Sequence, residues 1–94
     1  MTPLEKEIEA KLGDGVKAAG GLCLKWVCPG WSGVPDRLVL LPRGRIIFVE
    51  TKRPKGGRLS ARQKWWRRKL QALGFPHYVI WDAVDLEAFE SREL

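Results

Sequence analysis

The chain reads as a single α/β domain, residues 1–94, with elements in the order α-β-β-β-α-β-α. Three observations predict that class. Two short apolar runs flank three turn residues, two amphipathic stretches each open on a capping-box pattern and close on glycine, and 94 residues allow one modest core. A mixed sheet flanked by helices joins such elements at this size.

Each element has a local cause. Thr2 is a helix cap, Pro3 suits the first helical position and Glu5 completes the capping box. Leu4, Ile8, Leu12, Val16 and Ala19 carry the stripe at steps of three and four to Gly20-Gly21, with Gly13 and Gly15 loosening its middle. Leu22 to Val27 reads as a buried strand, and Pro29-Gly30-Trp31-Ser32-Gly33 as a loop rich in breakers. Arg37 to Leu41 and Arg45 to Glu50 form a hairpin about Pro42-Arg43-Gly44. A basic loop then leads to Ser60-Ala61-Arg62-Gln63, the second capping box. Trp66, Leu70 and Leu73 form that helix's inner stripe, Gly74 is placed for a left-handed cap, and Phe75 for the apolar contact that follows one. Tyr78 to Trp81 is a last strand, and Val84 to Phe89 supports a final helix of one or two turns. Trp26 and Trp81 read as core, and Trp65 lies off the inner stripe.

Composition removes several function classes. No segment approaches the ~20 apolar residues of a membrane span, and the charged N-terminus has no apolar region of a secretory leader, so a cytoplasmic chain without membrane contact is expected. Two cysteines and one histidine are too few for a structural zinc site or a disulfide scaffold. The net charge is +6, and eleven basic residues lie between Arg43 and Lys69 against one acid, Glu50. Five acids follow from Asp82 onward against Arg92 alone. A dense basic centre implies a polyanionic partner, and nucleic acid is the usual one.

The hairpin carries the chemistry. Antiparallel partners joined by a short turn set the start of the first strand beside the end of the second, so Asp36 and Glu50 are expected to be neighbours. Glu50 and Lys52, two apart, share a strand face. Charges at the end of Ile46-Ile47-Phe48-Val49 are costly unless paired, and a divalent cation pairs well with two carboxylates while keeping water and phosphate oxygens. Such a cation polarises phosphate and activates water, and an ammonium beside it stabilises developing charge. A plain Glu50–Lys52 surface ion pair is the bland alternative. Arg53, Lys55 and Arg58 on the following loop, and Arg62, Lys64, Arg67 and Arg68 on the next helix, are candidate phosphate contacts.

Three blocks, Gly33-Val34-Pro35-Asp36, Val49-Glu50-Thr51-Lys52 and Leu59-Ser60-Ala61-Arg62-Gln63-Lys64-Trp65-Trp66, resemble the VRR-NUC family of virus-type replication and repair nucleases, within the PD-(D/E)XK superfamily. The match runs from Glu5 to about Trp81. It implies a restriction-endonuclease-like core and a catalytic set at Asp36, Glu50 and Lys52, with Mg²⁺ or Mn²⁺ held by Asp36, Glu50 and the Thr51 carbonyl. The resemblance also implies a helix-one carboxylate, matched by Glu5 with Glu9 as the alternative, and a helix-two glutamine, matched by Gln63. Both Glu5 and Gln63 also occupy capping-box positions. The free-standing members resembled are associated with homodimers that act on branched DNA in the manner of Holliday-junction resolvases. A nuclease on flaps, duplex DNA or RNA, and a non-catalytic nucleic-acid-binding module, are the rival readings. The module reading is weakened because two carboxylates beside a phosphate would repel it.

Overall fold

The computed structural model describes residues 3–53 and 56–94, so the Thr2 cap and Lys55 lie outside the described residues. Its elements are α1 (Pro3–Ala18), β1 (Leu22–Lys25), β2 (Arg37–Leu41), β3 (Arg45–Thr51), α2 (Ala61–Ala72), β4 (His77–Ile80) and α3 (Ala83–Glu93). The sheet order is β1-β2-β3-β4. The first three strands are antiparallel, and β3 and β4 are parallel with α2 as the crossover. This is the expected order and the expected mixed sheet. Among the described residues no helix is long and apolar enough to cross a membrane.

The core lies on one face of the sheet. Ile8, Leu12 and Val16 of α1 and Leu86 and Phe89 of α3 pack on Val39, Leu41, Ile47, Val49 and Ile80. Leu4, the first residue of the expected stripe, is 48% exposed. Glu9 reaches Arg37 and Thr51, at the strand ends. Leu4, five residues and about 7.5 Å of helix earlier, therefore projects beyond the sheet. Both α1 and α2 end in the same motif. Gly20 and Gly74 have φ of 85° and 95°, and the next residues, Gly21 and Phe75, donate to the carbonyls of Val16 at 2.9 Å and Leu70 at 3.0 Å.

Four expectations are corrected. The strand expected to be buried over Leu22 to Val27 is a four-residue edge strand, with Leu22 59% and Leu24 42% exposed. Cys23 packs toward the core, whereas the alternate residues point to the face that α2 covers only on its β4 side. An apolar run cannot distinguish a central strand from an edge. Leu73 is exposed because it is the α2 cap residue, outside the regular helix. The last strand starts one residue earlier than expected, because β3 fixes its register as Phe48 opposite His77. The final helix runs on to Glu93. Asp82 caps it by accepting from the Asp85 N–H at 2.9 Å, and Glu93 anchors its end to Arg45 and the Tyr78 hydroxyl.

The second face of the sheet carries an aromatic chain. Trp26 meets Phe48 with centroids 5.1 Å apart and Trp66 at 6.0 Å, and Trp66 meets Trp31 and Trp65 at 5.6 and 5.2 Å. Trp26 and Phe48 are tilted and the three Trp66 pairs meet edge-on; such contacts add to area burial, and they lock α2 over the strand ends where the charged residues gather. Trp26 and Trp81 are half-buried, and Trp65 is 39% exposed.

Candidate active site

The β2–β3 register, Arg37 opposite Val49, brings Asp36 level with Glu50 across the end of the sheet. Residues from both faces meet there. On the α1 side, Asp36 accepts from the Thr51 hydroxyl at 2.8 Å and from the Thr51 N–H at 3.3 and 3.4 Å, and the same hydroxyl lies 3.0 Å from Glu9. One hydroxyl has one proton, so it serves the two carboxylates in turn. Arg37 closes the group by donating to Glu9 at 2.6 Å. The Lys52 N–H bonds to Ile80 in β4, whereas the Thr51 N–H turns to Asp36. A residue's N–H and C=O leave a strand on the same side, so the Thr51 carbonyl also faces Asp36.

On the α2 side, Glu50 is buried, at 5% exposure. Gln63 donates to its Oε1 at 3.1 Å, and Lys52 Nζ lies 3.9 Å from the same oxygen. At that separation the lysine acts through its charge rather than a direct hydrogen bond. Gln63 performs two tasks. Its amide oxygen accepts from the Ser60 N–H at 2.8 Å, completing the capping box, while its NH₂ holds Glu50. The capping and site readings of this residue are thus compatible in one geometry.

The loop before β2 sets the distance between α2 and the strands. Trp66 donates to the Ser32 carbonyl at 2.9 Å and Arg62 to the Ser32 hydroxyl at 3.3 Å. Gly33, at φ 79°, approaches so closely that an added Cβ would lie 2.6 Å from the Arg62 Cβ. Only glycine fits both the angle and the gap.

Burial pushes the Glu50 carboxyl up to about 7, and the Asp36 charge adds to this while Lys52 and the Asp36 backbone oppose it. Burial likewise raises Asp36, against the Thr51 bonds and Arg37 and reinforced by Glu9. Two carboxylates held together at such a cost fit a cation. Among the described residues no group of three or more histidine, cysteine or acidic side chains forms a metal cage. The site therefore offers a pair of carboxylates and a carbonyl, and it suits an oxygen-seeking ion that keeps water and phosphate as its other ligands.

Arg37 was not among the sequence candidates. Its signal was a charge inside an apolar strand, next to Asp36. Glu9 has contacts to Thr51 and Arg37, and Glu5 lies half-buried one turn earlier on the same helix. Of the basic candidates, Arg53, Arg58, Arg62, Lys64 and Arg68 are exposed, whereas Arg67 is half-buried beside His77.

The capping and holding tasks of Gln63 can be separated. A Gln63→Glu protein keeps the capping-box acceptor, so its helix content is expected to stay as in wild type. Its new carboxylate faces Glu50 and raises that group further. Melting of the metal-free protein should fall at pH 8 and not at pH 4.5, as thermal scans at the two pH values would read. No loss at either pH would show that Gln63 matters only as a cap.

No family sequence model matches the chain. A protein named as a candidate nuclease, p44, from Acyrthosiphon pisum secondary endosymbiont phage 1 is 44% identical over 84 residues, covering 89% of this chain and 88% of that protein. A solved structure described as a VRR_NUC domain superposes with a TM-score of 0.90 at 27% identity, covering 99% of this chain and all of the other.

Proposed function

The chain belongs to the VRR-NUC family of nucleases, and from that premise we propose that it is a divalent-metal-dependent DNA endonuclease. The observation that carries the reading is the crowding of Asp36 and Glu50 at the sheet end, with Lys52 and Gln63 both directed at Glu50. Asp36, Glu50 and the Thr51 carbonyl would hold Mg²⁺ or Mn²⁺. When bound there, the cation would polarise the scissile phosphate and lower the pKa of a water.

The chain's own residues supply the remaining functions. Lys52 stands where its ammonium can neutralise charge developing on the phosphate or orient the attacking water. Gln63 fixes the Glu50 carboxylate, so that its second oxygen remains for the cation. Thr51 and Glu9, with Arg37 behind them, orient Asp36, and Glu9 is therefore the helix-one carboxylate that we assign to the site in preference to Glu5. Arg53, Arg58, Lys64 and Arg68 extend the cationic surface along which a phosphodiester backbone can lie.

The substrate we propose is branched DNA, cut by a homodimer. One chain carries one such site, and paired cuts in a four-way junction need two copies related by a two-fold axis. The test is incubation with labelled four-way junction, flap and linear duplex DNA, each with Mg²⁺, Mn²⁺ or EDTA. Symmetric, metal-dependent cuts confined to the junction are expected. Cleavage of flap or duplex with equal ease would remove the junction specificity and leave the nuclease. Binding without cleavage in either metal would favour a non-catalytic module.

A further inference from the structure

A second cationic hollow lies away from the carboxylates, at the outer edge of β4. It encloses about 350 Å³ and is lined by Arg67 and Gln71 of α2, His77 and Tyr78 of β4 and Arg92 of α3. A neighbouring hollow of about 320 Å³ shares Arg67 and Gln71 and adds Lys64 and Arg68. The two adjoin at Arg67 and Gln71 on α2. Among the described residues, neither Arg67 nor Arg92 forms an ion pair. The Arg92 charge opposes the rise of the Tyr78 hydroxyl, whose own proton goes to Glu93.

His77 makes the hollow more than a surface patch. It is 7% exposed, and its Nδ1 is buried without a hydrogen-bond partner. A buried polar atom left unsatisfied costs free energy, and it normally marks a missing partner. Burial, with the Arg67 charge adding to it, keeps the ring neutral down to about 4. A neutral imidazole can still present one N–H to an oxyanion. Two guanidiniums without ion pairs, lining one hollow beside the His77 ring, are complementary to a phosphate group, which accepts several charge-assisted bonds at once.

We propose that the Arg67–His77–Arg92 hollow is a phosphate-binding subsite, which holds a phosphate of the nucleic acid whose scissile bond lies at Asp36 and Glu50. The proposal rests on the nuclease reading. The register supports a shared strand. Val79 pairs with Glu50 and His77 with Phe48, so His77 lies one strand across, about 4.8 Å, and two residues back, about 7 Å. With ~3.4 Å of axial rise per nucleotide, a bound strand spans that offset in a few nucleotides. The hollow then fixes which phosphate reaches the carboxylates, acting on register rather than on bond breaking.

His77 is the sole histidine, so its ring resonances report on this hollow alone. In EDTA, which prevents cutting, wild type and Arg92→Gln are titrated by NMR with inorganic phosphate, an oligonucleotide without terminal phosphates, and the same strand 5′-phosphorylated. Saturable movement of the His77 ring with the unphosphorylated strand is expected, weakened roughly tenfold by Arg92→Gln. Movement with the phosphorylated strand or inorganic phosphate alone, equally sensitive to the substitution, would keep the subsite and make a terminal phosphate its source. If the Lys52 and Arg53 amides shift while His77 does not, the subsite is overturned and the nuclease reading stands. If neither shifts with any probe, both fall. A His77 shift that is unchanged in Arg92→Gln also overturns the proposal. Arg67→Gln serves as the second variant should Arg92→Gln lose its dispersed spectrum.

Discussion

A Glu50→Gln protein is expected to lose cleavage by on the order of 10³-fold and yet to be more stable than wild type at alkaline pH when metal is absent. The sign follows from the raised carboxyl. Its pKa rises from an ordinary 4.5 to about 7, so the folded state holds the Glu50 proton more tightly than the unfolded chain does. The corresponding stability is fully present below about 4.5 and is lost as pH rises through about 7. At pH 8 the buried charge costs up to about 3 kcal/mol, and glutamine removes that cost while keeping the shape.

His77 must be separated from this effect. Burial lowers it from 6.5 to about 4, so its contribution is present above about 6.5 and is lost as pH falls toward 4. The two groups oppose each other between these limits and flatten the wild-type profile. The informative quantity is the difference in stability between variant and wild type in EDTA. It should be near zero at pH 4 and grow through pH 7 toward a melting advantage of roughly ten degrees or more. A difference that stays constant with pH would show that Glu50 is not strained in the free protein. Adding Mg²⁺ at pH 8 should raise the wild type far more than the variant, because ligand that binds only the native state stabilises it by mass action.

Lys52→Ala is expected to reduce cleavage by roughly 10²–10⁴-fold while leaving DNA binding in EDTA within a few-fold of wild type. The lysine is one cation among many on that surface, but the one 3.9 Å from Glu50. Lys52→Arg should recover only part of the rate, because a planar guanidinium does not reproduce a compact ammonium. A physical cross-check accompanies the kinetics. Lys52 opposes the rise of Glu50, so its removal should lower the stability of the metal-free protein at pH 8 and leave it unchanged at pH 4. Cleavage at wild-type rate in Lys52→Ala would remove this residue from the reaction.

The element order and the hairpin were legible because their causes are local. Pro42-Arg43-Gly44 can only turn, and Arg43 indeed takes φ 69° there. Ser60 and Gln63 form the capping box that their spacing announces. Asp36 and Glu50 came together for a simple reason: a tight antiparallel turn leaves one register, and register decides which strand ends are neighbours. Glu9 and Arg37 were harder to read. Glu5 and Glu9 lie on the same helical face, and only the depth at which α1 crosses the sheet decides which one reaches Thr51. Arg67 looked like its neighbours on a basic helix, until the packing of α2 on β4 brought it beside His77.

Sequence by itself therefore determined the order of elements, the turn that pairs Asp36 with Glu50, the face that Glu50 shares with Lys52, and the concentration of positive charge after them. These depend on interactions within a few residues or on strand periodicity. Tertiary structure alone decided that β1 is an exposed edge, that Glu9 and Arg37 brace Thr51 behind Asp36, and that Glu50 is buried deeply enough to hold its proton near neutral pH. It also decided that Arg67, His77 and Arg92, from three separate elements, line one hollow. Burial and long-range proximity depend on which elements cover which, and no local pattern carries that information.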